Sequence, residues 1–101
     1  MGKEYNMNAR EENISCHGLS FLCIYGKHVN GGFAALMNWG VVVELSTSKS
    51  DLAYNKKQIF DALEDSPDVG YLPSGTDDRH ALARDLAMMI MSRFEAMPDI
   101  N

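Results

Sequence analysis

Cys16, His17, Cys23 and His28 are the one group of soft ligands gathered in a single part of this chain, and the chemistry open to them is metal binding or nucleophile–base catalysis. A zinc site needs four such groups converging on a tetrahedron. There is no Cys-x-x-Cys pair, and residues 23 and 28 stand five apart along an extended run, which points them to opposite faces. Cys16 with His17 or His28 could act as nucleophile and base, yet no helix start and no third orienting group accompanies them in the sequence. Gly31 and Gly32 are not followed by Gly-Lys-Ser/Thr, so they do not form a phosphate-cradling loop. Asp77-Asp78 fits the first turn of a helix better than a pair of acid–base carboxylates. The expectation is a non-enzymatic protein with no metal and no cofactor. A thiol- or metal-dependent enzyme using Cys16, His17 and His28 is the competing class.

These residues lie in or beside the stretch Ser20–Leu45, around which the chain is organised. Phe21 to Tyr25 is short, apolar and rich in strand formers, and reads as a strand buried on both faces, ending near Val29. Asn30-Gly31-Gly32 follows; Asn-Gly accepts positive φ at two successive positions, as a tight antiparallel turn demands. Phe33 to Met37 returns as a second strand, and its Ala34 and Ala35 predict close packing by a helix. Asn38-Trp39-Gly40 interrupts as a bulge or sharp corner, after which Val41, Val42, Val43 and Leu45 form a third strand. Asn30, Gly31, Asn38, Trp39 and Gly40 are therefore read as turn and corner residues. Glu44 marks either a solvated face or a sheet edge.

Two helices follow. Asn55 is a candidate N-cap for a short helix through Ile59, Phe60 and Leu63. Residues 66–75 hold two prolines and two glycines and read as a long loop, a mobile surface feature or a contact loop. Thr76 can cap the last helix, with Asp77 and Asp78 in its first turn; Leu82, Leu86, Met89, Ile90, Phe94 and Met97 make one apolar stripe. From Thr76 to Met97 such a helix is about 33 Å long, more than one short strand can cover. Its overhang, with Met88, Met89 and Met91, suits an adaptable interface, with ordinary core methionines the competing reading. The fold class expected is α+β: a small antiparallel sheet of about three strands packed against a short helix and a long C-terminal helix.

Composition bounds the rest. At 101 residues, 46% hydrophobic and 23% charged, the chain is expected to hold one folded domain at 15–101, preceded by a polar segment at 1–14 whose order the sequence leaves open. That segment has no apolar run of a signal peptide, and Met1-Gly2 lacks the Ser or Thr expected of a myristoylation start. A soluble, cytoplasmic protein is expected, with both cysteines reduced and no membrane partner. The net charge of −5 argues against direct nucleic-acid binding and allows docking on a basic protein surface. Tyr71 on the contact loop, Asp77, Asp78, Met88 and Met91 are the candidate binding residues. The expected function is a small protein-binding module of bacterial or phage origin, acting as an inhibitor of a host defence complex in the manner of an anti-CRISPR protein. A self-associating subunit, dimeric through the methionines, is the alternative.

The run Gly26-Lys27-His28-Val29-Asn30-Gly31-Gly32-Phe33, then Asn38-Trp39-Gly40, Glu44-Leu45, Ser50-Asp51 and Asn55, resembles a family of short uncharacterised bacterial proteins. There an Asn-Gly turn precedes an aromatic residue, a Pro-Asn-Trp-Gly corner and a Ser-Asp…Asn segment that opens a helix. The resemblance covers the middle third of the chain; Met37 stands where the family has proline, and the last helix is longer than the family's. It implies a small domain with no assigned activity, often found among mobile-element genes, and brings no catalytic residue with it.

Overall fold

A computed structural model describes residues 9–98. Four strands, β1 (Arg10–Cys16), β2 (Leu19–His28), β3 (Gly31–Leu36) and β4 (Val41–Leu45), pair antiparallel with their chain neighbours in the order β1-β2-β3-β4. Two helices follow, α1 (Leu52–Glu64) and α2 (Thr76–Glu95), and the fold is α+β.

The sheet has four strands rather than three. β1 occupies part of what reads as a polar leader, so the first described strand starts at Arg10, ahead of residue 15; the expectation for residues 1–8 lies outside the described residues. Its alternation is real but masked: Glu12, Ile14 and Cys16 face inward, and Glu12 at the first of these positions hides the period.

Strand alternation sets two faces. Inward, register joins Ile14 to Phe21, Cys23 to Leu36, and Tyr25 to Ala34 to Val43, all of them buried. Against this face lie Ile59 and Leu63 of α1 and the stripe Leu82, Leu86, Ile90 and Phe94 of α2, each less than 3% exposed. Burying each such side chain contributes roughly 1.5–3 kcal/mol, which makes this layer the main source of stability. Ala83 and Ala87 let α2 approach closely, and Met97 just beyond the helix is also buried. Arg79 to Glu64 (2.8 Å) ties the helices at one end and Lys49 to Glu95 (2.8 Å) at the other, so they run antiparallel.

The turns differ from expectation in an instructive way. The two-residue turn with positive φ throughout is His17-Gly18 (φ 54° and 79°), between β1 and β2. Asn30 does not take positive φ; Val29-Asn30 makes the β2–β3 turn, and Gly31 (φ 146°) carries the unusual backbone. A Cβ at Gly31 would come within 2.9 Å of the Leu45 carbonyl oxygen. The corner, by contrast, is a specific device. β2 pairs with β3 only from Cys23 onward, which leaves Ser20 and Leu22 unpaired on that side. Asn38 fills the gap: its Oδ1 accepts from Leu22 N–H (2.9 Å), and its Nδ2 donates to Ser20 carbonyl (2.9 Å). Trp39 Nε1 donates to the same carbonyl (3.0 Å), its ring stacks on Phe21 at 5.2 Å, and Gly40 ends the corner at φ 70°.

Asn55 does not cap α1, which starts at Leu52. It is fully buried and clamps the β4–α1 connection, accepting from Ser46 N–H (2.7 Å) and donating to Ser46 carbonyl (2.8 Å). Thr76 is the first residue of α2; Gly75 holds the cap position, with no side-chain hydrogen bond. The 66–75 connection contains a 3-10 turn at Val69–Tyr71.

Candidate interaction surfaces

Both helices pack on the inner face, and among the described residues no element packs on the outer, open face of the sheet. Its register places Ile24, Ala35 and Val42 in one row across β2, β3 and β4. Leu22 lies on one side of that row, and Phe33, opposite Gly26 on β2 and Glu44 on β4, on the other. Val42 is 69% exposed and Leu22 37%, while Ile24, Phe33 and Ala35 are partly exposed. Nearby Met37 in the corner is also exposed. This apolar patch spans three strands, with Glu11 outward on β1 at one flank and Glu44 on β4 at the other. The sequence reads Phe21–Tyr25 as buried on both faces; the structure leaves Leu22 and Ile24 on the open one. A continuous apolar run in an antiparallel sheet, with two helices that both fit one side, is the signal that could have marked it.

Of the candidate binding residues, Met88 and Met91 come together. They line a hollow of about 240 Å³ with Leu52, Thr47, Lys49 and Glu95, between α2 and the start of α1. Met88, half exposed, also borders a second hollow with Met89, Asp85, Cys16 and His17. Tyr71, Asp77 and Asp78 lie at the opposite end of α2, about 15 Å along the helix from Met88. There Tyr71 is 75% exposed, and residues 58–78 hold the carboxylates Asp61, Glu64, Asp65, Asp68, Asp77 and Asp78 with no Lys or Arg. Lys57 pairs with Asp61 and Arg79 with Glu64, which leaves Asp65, Asp68, Asp77 and Asp78 to set the charge of that end. That end forms an acidic pole. Arg79, the first cation after it, is already engaged with Glu64 and with the Pro73 carbonyl.

The structure places the groups singled out for chemistry in different surroundings. Cys16 points into the core, its thiol on the Leu82 carbonyl (3.9 Å); burial and then the nearby Asp85 charge push that thiol's pKa up. Cys23 is fully buried, and desolvation raises its thiol to about 12. Both thiols stay protonated and the cysteines are free. His17 turns outward instead, with Nε2 2.6 Å from Asp85 Oδ2, and that hydrogen bond is the main cause holding the Asp85 carboxyl below its usual range. His28 faces Glu44 at 3.4 Å across the outer sheet. Among the described residues no three His, Cys, Asp or Glu side chains converge as a metal site would require. No helix of the described residues is long and apolar enough to cross a membrane.

The architecture is thus a two-layer α+β unit with one covered and one open sheet face. Over residues 4–72 the chain matches a family of unknown function (DUF6618), and it belongs to that family. The matched span takes in all four strands and α1 and stops at Leu72, before α2. No curated protein and no solved structure matches the chain significantly.

Proposed function

We propose that this chain is a non-enzymatic, cytoplasmic protein-binding module of bacterial or phage origin whose contact surface is the open face of the sheet. The observation that carries this reading is the apolar patch of Leu22, Ile24, Phe33, Ala35 and Val42, contiguous across three strands and uncovered. Apolar surface of this kind costs free energy in water, and partner binding recovers it. Inhibition of a host defence complex, in the manner of an anti-CRISPR protein, is the specific form we favour. The acidic pole at residues 58–78 supports it, because such a pole suits a basic, nucleic-acid-binding surface and speeds encounter with it. Affinity purification of tagged wild-type and Val42→Lys protein from the native host tests the reading. A stoichiometric protein recovered with wild type and lost with Val42→Lys is the expected result; no stoichiometric partner with either removes it.

A second reading is self-association through the α2 methionines, favoured by the half-exposed Met88 on a hollow shared with Met91. It predicts a dimer in sedimentation that Met88→Lys with Met91→Lys converts to monomer without unfolding. A mass unchanged by the substitutions sinks it.

A further inference from the structure

The occupant of the open sheet face can be narrowed by its dimensions and its charge, an inference that rests on the protein-binding reading above. The patch reaches from β2 to β4, two strand spacings or about 10 Å. Along β2 it runs from Leu22 to Gly26, four residues or about 14 Å. A stable dimer buries about 800 Å² on each partner, several times the product of these two lengths, so a second copy laid face to face would rest largely on the polar margin. One α-helix, about 10–12 Å across with its side chains, matches the width, and about 14 Å of length is roughly nine residues or between two and three turns. Within the row the small Ala35 of the middle strand lies between Ile24 on β2 and Val42 on β4, and Phe33, on the same strand as Ala35, stands toward one end. A helix lying over Ala35 would have Ile24 and Val42 on either side of it and Phe33 toward one end.

Charge points the same way. The outward positions of the four strands carry two carboxylates, Glu11 and Glu44, and no Lys or Arg; His28 is the one other titratable group there, and it faces Glu44. Two copies stacked on this face would present carboxylates to carboxylates, and the net charge of −5 on each would add to the repulsion. A helix with an apolar stripe and Lys or Arg along its flanks would meet Glu11 on one side and Glu44 on the other. We infer that the open sheet face receives a short amphipathic helix with basic flanks from a partner protein, which would complete a helix–sheet–helix sandwich with α1 and α2 on the far side.

The test uses a fluorescent synthetic peptide of about 14 residues, with a Leu/Ala stripe and Lys flanks. Its comparators are a scrambled peptide of equal composition and a peptide with Glu flanks. Binding to the full chain is read by anisotropy and mapped by amide shifts. The expected result is binding of the striped Lys peptide alone, with shifts on β2, β3 and β4. Val42→Lys should weaken it at least about tenfold, and Glu44→Lys should weaken it while admitting the Glu peptide. Circular dichroism confirms that both variants are folded; both sites are exposed. Equal binding of the scrambled peptide overturns the inference. So does loss of binding with Asp77→Asn and Asp78→Asn while Val42→Lys binds normally, or a wild-type dimer that Val42→Lys dissociates. If host protein is captured through Val42 but the striped peptide does not bind, the helix falls and the protein-binding reading stands; if the peptide binds but no host partner exists, that reading falls instead.

Discussion

Glu12 on β1 and Arg93 on α2, 81 residues apart, are joined at two points: Arg93 Nε donates to Oε1 at 2.8 Å and Nη2 to Oε2 at 2.6 Å. Arg93 Nη1 donates to Met89 carbonyl (2.8 Å), and Tyr25 hydroxyl to Glu12 Oε1 (2.9 Å). The Arg93 hydrogen bonds, as the largest cause, lower the Glu12 pKa from 4.5 to about 2. A depressed carboxylate stabilises the folded state above its unfolded pKa and loses that contribution as pH falls through the folded value. Stability should therefore decline between about pH 4.5 and pH 2. The pair is about one-third solvent exposed, and after allowance for screening the effect is ~1 kcal/mol. Urea midpoints of wild type and Glu12→Gln across that range check it: the difference should be present at pH 6 and shrink toward pH 2.

Asn55→Ala should cost about 1–3 kcal/mol, because it leaves both the N–H and the carbonyl of the half-buried Ser46 without their partner. Asn55→Asp keeps the acceptor but loses the donor and brings a charge into the interior, so it should be at least as damaging. Equilibrium urea unfolding gives both numbers.

Gly32 faces the ring of Phe94, and a Cβ there would stand 2.7 Å from Cζ and 2.9 Å from Cε2. Gly32→Ala should destabilise by about 1–3 kcal/mol through overpacking. Combined with Phe94→Leu, which removes the clashing atoms, the loss should be smaller than the sum of the single losses by ~1 kcal/mol in a double-mutant cycle.

Asn38→Ala frees Leu22 N–H and one contact to Ser20 carbonyl without touching the core. Amide exchange at Leu22 should accelerate at least tenfold, ~1.4 kcal/mol of local protection, while exchange at the centre of β2 changes little.

Cys16 and Cys23 should resist a thiol reagent in the folded protein at pH 8 and react together on unfolding, since both are buried and both thiol pKa values are raised. Rapid labelling of Cys16 in the native state would revive the thiol-enzyme class.

Much of this architecture is legible because it is local. The α2 stripe from Leu82 to Phe94, the β2–β3 hairpin and the Asn38-Trp39-Gly40 corner all follow from spacing or from residue type within a few positions. β1 is not, because the inward Glu12 breaks the pattern and the Arg93 that accommodates it lies on the last helix. The same limit applies to Asn55, which reads as a cap until Ser46 is seen beside it. His17-Gly18 does not stand out as a turn because Asn30-Gly31 is the stronger chemical signal; His17 tolerates left-handed backbone and is held by Asp85, 68 residues away. Met88 and Met91 were legible as surface candidates, whereas the open face depends on which side both helices choose, a property of the assembled layers.

The order of the elements along the chain also matters during synthesis. Four strands joined in sequence can pair as soon as they emerge, but Leu82, Leu86, Ile90 and Phe94, which share one core with Ile14, Phe21 and Leu36, belong to α2, the last of the described elements. Until Phe94 and Arg93 leave the ribosome, the nascent sheet has two wet apolar faces instead of one, and it is in that interval that the chain most needs a chaperone or its own partner.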